Sequence, residues 1–306
     1  MDIKLFARGT LLTVVLSTIG FILLELNLVP YGFTLFCIMP ILLGYVIGVY
    51  PNYKILLAYT GVFGVMTFFW LLVIGGLESW WCVITLSPLF FVAFYIGMHI
   101  GYIIRQSVII RKNDKMKNQE LNIYLLPVFV LIISSSIEKF FTEKFTDVTV
   151  ETRILLPYPK EIVFDYIKSV DTLDSDKPFL FHIGVQIPLR CVLEKDSVGA
   201  KRTCYFKEGT IDEVVVEIKR GEILKMKITN YGMPGRKWLH FQDAIYLFKQ
   251  VGNETELTRI TTYKTELKPR FYWNYFETTA IEAEHNYVLN DLRRRLDKDF
   301  KSEAAK

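Results

Sequence analysis

Catalytic signatures are missing from this 306-residue chain. It has no G-x-S-x-G elbow, no P-loop, no G-x-G-x-x-G after a strand and no H-E-x-x-H pair. The common routes to serine hydrolysis, nucleotide binding and zinc proteolysis are therefore absent. With four histidines and scattered acids there is no sequence case for a metal site, and no cofactor is expected. A formal net charge of +4 is too small to argue for nucleic acid. The four cysteines show no C-x-x-C spacing, which excludes a zinc knuckle or a thioredoxin-like pair. Cys37 and Cys82 lie in apolar runs and read as small buried residues. Cys191 and Cys204 flank a turn at Asp196 to Gly199. Free thiols are the preferred reading there; a disulfide across the hairpin is the alternative, and it requires an oxidising compartment.

Charge is also scarce before Arg105 and frequent after it. A membrane span needs roughly 20 mostly apolar residues, and Gly9 to Pro30, Tyr31 to Tyr50, Ile55 to Gly76 and Cys82 to Ile104 each supply them. The first run is too long, and lacks a small-residue cleavage site, for a removed signal peptide. A fifth segment, Leu121 to Ile137, is shorter and runs into Ser134, Ser135 and Ser136. Arg105, Arg111, Lys112, Lys115 and Lys117 crowd the loop before it, while the loops around Val29 and from Leu77 to Trp81 carry no Lys or Arg. The positive-inside rule makes that basic loop cytoplasmic, in agreement with Lys4 and Arg8 after four spans. If the fifth segment crosses, the rest of the chain is extracytoplasmic, which is the preferred reading; if it lies in the interface, the rest is cytoplasmic. Glu25, Glu78 and His99 sit near span ends; interface groups are the preferred reading, and a functional intramembrane carboxylate at Glu25 or a relay at Glu78 and His99 is the alternative. Gly44 with Gly48 and Gly97 with Gly101 form G-x-x-x-G pairs that permit close helix approach, a weak signal by itself.

From Asp147 the pattern changes. Val148, Val150, Thr152 and Ile154 share one face of an alternating strand. Pro157 and Pro159 then break it, and Ile162, Val163, Tyr166, Ile167 and Val170 recur at helical spacing. From Phe179 onward, partly alternating runs punctuated by Gly, Asn and Asp bring the count to about seven strands. A helix from about Pro269 to Phe300 closes the chain, with Ile281, His285, Val288, Leu289, Leu292 and Leu296 on one stripe. The expected units are a membrane region over 1–138, a linker over 139–146, a soluble domain over 147–300 and a tail over 301–306.

Several of these stretches resemble one superfamily. The apolar-Pro-x-Pro-x-Glu-x-Val-Phe run at Leu156 to Phe164 is similar to the opening of SRPBCC domains, the START-like and polyketide cyclase-like helix-grip proteins. Gly199, Arg202, Cys204, Phe206 and Gly209, then Pro269, Tyr272, Trp273, His285, Val288 and Leu289, fit the same pattern. Glu78, Cys82 and Pro88, together with the span YGFTLFCIMPILLGYVIG, resemble the membrane half of multi-pass bacterial proteins with SRPBCC tails. The resemblance implies an α+β domain in which an antiparallel sheet curls around the last helix and a cavity can lie between them. The fold class expected is thus an all-α transmembrane bundle of four to five helices plus a helix-grip domain. The localisation implied is the bacterial cell membrane.

His285 is the sharpest site candidate, because its stripe faces the sheet; it reads either as an acid, base or ligand contact or, preferably, as a satisfied core histidine. Thr278 and Asn274 precede it on roughly the same helical face and read as a polar lining with it or as the point where the helix leaves the sheet. Arg190 and Arg202 are candidates for an anionic headgroup, although strand arginines are more often solvated. Tyr272, Trp273 and Tyr275 read as a cavity mouth, a bilayer contact or simple packing. The expected partners are the bilayer and an apolar or amphipathic small molecule, with no protein partner indicated. The function read from this is binding of a lipid-like molecule; the alternatives are a cyclase or hydrolase using His285, and a structural protein without ligand.

Overall fold

The computed structural model describes residues 3–49, 55–110, 117–141, 143–232 and 238–304. Of the basic loop, Arg111, Lys112 and Lys115 lie outside the described residues. The chain divides into two compact units, one holding Met1–Lys144 with Glu266–Phe271, the other Phe145–Thr265 with Tyr272–Lys306.

The first unit is helical. Its elements are α1 (Ile3–Glu25), a π-helical turn (Thr34–Ile38) leading into α2 (Met39–Val49), α3 (Ile55–Ile74), α4 (Trp80–Ile110) and α5 (Lys117–Phe141). Among the described residues two stretches are long and apolar enough to cross a membrane, Phe6–Glu25 and Trp80–Ser107; Thr34–Val49 and Tyr59–Ile74 are shorter apolar helices.

Glycine decides how these helices meet. Gly44 and Gly48 of α2 lie against the backbone of Phe94 and Met98 on α4, and Gly97 and Gly101 of α4 lie against the backbone of Ile41 and Tyr45 on α2. The two G-x-x-x-G pairs therefore mesh, and the contacts advance together along both helices, so α2 and α4 run the same way. A Cβ at any of the four would collide with carbonyl oxygen. Parallel contact also joins α1 to α3, through Gly9 on Thr60 and Gly64 on Thr13.

The end of α5 is tied to the connection between α1 and α2. Glu138 accepts the backbone N–H groups of Phe33 at 2.6 Å and Thr34 at 2.8 Å. Ser135 Oγ donates to Leu28 O at 2.6 Å, and Lys139 Nζ bonds Asn27 O. The Glu138 carboxylate thus satisfies N–H groups that open the Thr34–Val49 helical run, where its charge also suits the helix dipole.

Among the described residues of this unit, the interior is built on Ile47, Phe69, Phe94 and Met98, and the exterior is apolar as well. Leu11, Trp70, Val92, Tyr95 and Phe129 point outward, between 59% and 63% exposed, whereas Thr13, Ser17, Thr60 and Ser135 are buried.

The second unit is a seven-stranded antiparallel sheet with a long helix. The strands are β1 (Thr146–Leu156), β2 (Arg190–Leu193), β3 (Lys201–Phe206), β4 (Gly209–Lys219), β5 (Ile223–Tyr231), β6 (Leu239–Val251) and β7 (Glu254–Thr265), in the order β1-β7-β6-β5-β4-β3-β2. Helices α6 (Lys160–Lys168) and α7 (Phe179–His182) lie in the β1–β2 connection, and α8 (Arg270–Ala304) ends the chain. The expectation that strands begin at Phe179 is corrected. Residues 179–182 form one helical turn, and pairing starts only at Arg190.

Alternation along β1 and β7 builds the inner face. Val150, Leu156, Leu257, Arg259, Thr261 and Tyr263 are buried, and α8 brings Val288, Leu289, Leu292 and Leu296 onto a core shared with Leu156, Phe164, Leu224 and Phe248. Register shifts at Asp212/Glu213, Val215/Glu217 and Phe241/Asp243 mark the bulges, the device by which strands bend. The preference for free thiols at Cys191 and Cys204 is also overturned. The two stand directly opposite in the β2–β3 register and form a disulfide of 2.05 Å. Turn geometry, which spacing leaves undetermined, places them there, with Gly199 at a φ of 82°.

Candidate functional site

The inner face of the sheet is not purely apolar. On β3, Arg202 turns inward and is 2% exposed. Its Nη1 donates to Glu213 Oε2 on β4 at 2.7 Å, its Nε donates to Lys168 O at 3.1 Å, and Met226 Sδ is 3.9 Å away. On β7, Arg259 is 9% exposed and reaches α8, where its Nη2 lies 3.0 and 2.8 Å from the two oxygens of Glu284. The ring of Tyr246 on β6 serves both guanidiniums, 6.0 Å from Arg202 Cζ and 5.5 Å from Arg259 Cζ. Burial would weaken the charge on both arginines, but Glu213 and Glu284 outweigh it, so each guanidinium is held above its ordinary value.

Beside this pair of ion pairs sits His285, fully buried. Thr152 Oγ1 is 3.0 Å from its Nδ1, and Thr261 Oγ1 is 2.7 Å from its Nε2. A neutral imidazole has one donor and one acceptor, and a hydroxyl can serve either, so the two threonines satisfy the ring completely. Burial first, and the Arg259 charge second, push its pKa down to about 2. His285 is therefore neutral and bonded to hydroxyls. It is not poised for proton transfer near neutral pH, which calls for a pKa near the working pH.

Not every donor of this interior is paired among the described residues. Nε and Nη1 of Arg259 are buried without a hydrogen-bond partner, which leaves three N–H donors of one guanidinium open. Further along α8, Glu277 accepts Thr265 Oγ1 at 2.8 Å and Tyr263 OH at 3.4 Å. Among the described residues no group of three or more His, Cys, Asp or Glu is arranged to hold a metal.

The other residues singled out in the sequence lie elsewhere. Arg190 is exposed and stacks on Tyr205 at 4.1 Å, apart from the inward Arg202. Asn274 is exposed, and Thr278 returns its hydroxyl to Asn274 O at 2.8 Å, so neither joins His285. Trp273 is buried, Tyr272 packs its ring against Trp273 and Phe276, and Tyr275 is 67% exposed. Sequence reasoning missed Glu213, Tyr246, Arg259, Glu277 and Glu284. For two of them a signal existed: Arg259 falls in the buried phase of β7 with Leu257 and Tyr263, and Glu213 in that of β4 with Ile211 and Val215.

No family model matches the chain, and no curated protein matches it. Among solved structures, the Aha1 dimer from Colwellia psychrerythraea is similar at 11% identity, over 47% of this chain and 92% of that one, with a TM-score of 0.31. Protein Ms6760 from Mycobacterium smegmatis is similar at 9% identity over 49% and 91%, TM-score 0.33. Protein CV1439 from Chromobacterium violaceum is similar at 13% identity over 48% and 94%, TM-score 0.32. At these values the likeness carries no argument about role. The functional reading rests on the geometry above.

Proposed function

We propose that this chain is a multi-pass membrane protein whose sheet-and-helix domain binds an amphipathic small molecule, with the apolar body against the sheet–α8 core and a polar group at the interior belt. The observation that carries the reading is the belt itself. Two buried arginines, one with open donors, sit with Glu213, Glu284, His285 and two threonines beside a core that includes Leu257, Val215, Met226 and Phe248. Burying such a donor unmet costs about 1–3 kcal/mol, and a ligand acceptor removes that cost. Burial of the ligand's apolar surface contributes roughly 25 cal/mol per Å².

Membrane residence is supported by the outward apolar faces of α1, α3, α4 and α5, which are unfavourable in water and suited to lipid. Two further observations favour a domain on the extracytoplasmic side. The Glu138 and Ser135 bonds bring the end of α5 to the α1–α2 connection, the end of the bundle away from the amino terminus. The Cys191–Cys204 disulfide suits an oxidising compartment. Catalysis by His285 is not favoured, since threonines occupy both ring nitrogens.

The test is amide exchange on the full chain in phosphatidylcholine nanodiscs, with and without monoolein. Slower exchange confined to β7 and to α8 around residues 277–289 supports the proposal. Unchanged exchange there, across a panel of single-chain lipids, favours a structural domain without ligand.

A further inference from the structure

The chemistry of the ligand's polar group can be read from the charge balance of the belt. Two guanidiniums, Arg202 and Arg259, face two carboxylates, Glu213 and Glu284, with the imidazole of His285 between two threonine hydroxyls and the ring of Tyr246 beside them. The set is closed in charge but open in hydrogen bonds, because Nε and Nη1 of Arg259 lack acceptors. A carboxylate or phosphate entering here would meet the open donors but leave the interior with a negative charge that no buried cation balances, at a cost of several kcal/mol. A cation would face the unmet N–H donors of the Arg259 guanidinium and be repelled by its charge. An uncharged acceptor oxygen satisfies the donors and adds no charge to an interior that already holds the Glu277 carboxyl.

We infer that Arg259 is the anchor for a neutral carbonyl, that of an ester or ketone, on an otherwise apolar ligand, and that the site discriminates against the corresponding free acid. The inference rests on the ligand-binding reading above. The ring of Tyr246 fixes the plane beside the guanidinium, and Glu284 fixes its far edge, so the open donors are held in one orientation before a ligand arrives. Hydrogen bonds to a charged donor contribute about 1.5–3 kcal/mol each, which corresponds to roughly a 10- to 100-fold preference for the carbonyl compound over an alkane of equal length.

The experiment uses the full chain in phosphatidylcholine nanodiscs and three diazirine-bearing C16 probes: a methyl ester, the free acid and a hydrocarbon. Photolabelled peptides are identified by mass spectrometry, and half-saturation is read for those from β6, β7 and α8. The ester is expected to saturate at the lowest concentration. In the Arg259→Met/Glu284→Gln variant, which removes the ion pair as a neutral unit, the ester should fall to the level of the hydrocarbon, while hydrocarbon labelling stays within twofold of wild type. Retained hydrocarbon labelling also reports that the variant is folded; Arg259→Lys serves if it is not, and should lose most of the ester preference because it lacks Nε and Nη1. Equal saturation by ester and hydrocarbon in the wild type overturns the assignment, leaving Arg259 solvated by water only. So does preference for the acid. Failure of all three probes to label these peptides overturns the binding reading itself.

Discussion

Glu213 holds Arg202 at 2.7 Å from the directly opposite position on the neighbouring strand, and both side chains are shut off from water at 3% and 7% exposure. A buried pair of this kind stabilises little as a pair and costs much when halved. Glu213→Ala, which strands the guanidinium, should lower stability by about 3–5 kcal/mol. Arg202→Met with Glu213→Leu should cost clearly less. Urea denaturation of the full chain, followed by tryptophan fluorescence, measures both; equal losses would show that the charge pairing is immaterial.

The depressed pKa of His285 makes stability depend on acid. Its folded value of about 2 lies below the ordinary 6.5, so the unfolded chain takes up a proton that the folded chain refuses. The resulting stability is present above pH 6.5, declines as pH falls below that value, and continues to decline toward the folded pKa. Between about pH 7 and about pH 5 the residue should account for a loss of about 2 kcal/mol. His285→Gln, which keeps a hydrogen-bonding amide, should flatten that part of the curve. Superimposable curves for the two proteins would remove the buried imidazole from the account.

The mesh of α2 with α4 sets a steric prediction. Gly44→Leu would push a side chain into Phe94 O and the Met98 backbone, and should abolish recovery of monodisperse protein in detergent. Ile96→Ala, on the outward face of α4, should leave recovery within about twofold, since surface substitutions typically change stability by no more than about 0.5 kcal/mol. Size-exclusion profiles decide; normal recovery of the Gly44 variant would contradict the packing.

The side of the membrane is testable through an exposed turn. Val198 is 64% exposed, and Val198→Cys should react with a membrane-impermeant maleimide in intact cells. Reaction only after lysis would place the domain in the cytoplasm. On the same reading Cys191→Ser with Cys204→Ser should destabilise the domain by about 3 kcal/mol, the entropic value for a loop of roughly 15 residues.

Much of the architecture was visible in the residues. Period-two runs mark the strands, the stripe from Ile281 to Leu296 marks α8, and that stripe correctly aims His285 inward. Periodicity gives the face of an element but not its neighbour across space. The Arg259–Glu284 contact joins a strand to a helix, and its partners are fixed only by register and docking. For the same reason spacing alone puts Thr278 on the His285 side of the helix, yet its bond to Asn274 O keeps its hydroxyl out of the interior. Local composition misleads where a turn intervenes: the run from Phe179 to Arg190 alternates partly, but the left-handed φ of 102° at Gly184 interrupts any strand there. The meshing of Gly44 with Phe94 shows the converse. A motif common in membrane helices acquires meaning only once the opposing backbone is known.

An amphipathic molecule held in the sheet-and-helix domain should copurify with the chain. Full-length protein is purified in detergent, washed extensively, extracted with organic solvent and analysed by quantitative mass spectrometry. Predicted is one uncharged, carbonyl-bearing apolar molecule near one equivalent per chain, depleted when Arg259→Met/Glu284→Gln is purified in parallel. An extract holding only bulk membrane lipids, in the same proportions for both proteins, would show that the domain holds no such ligand.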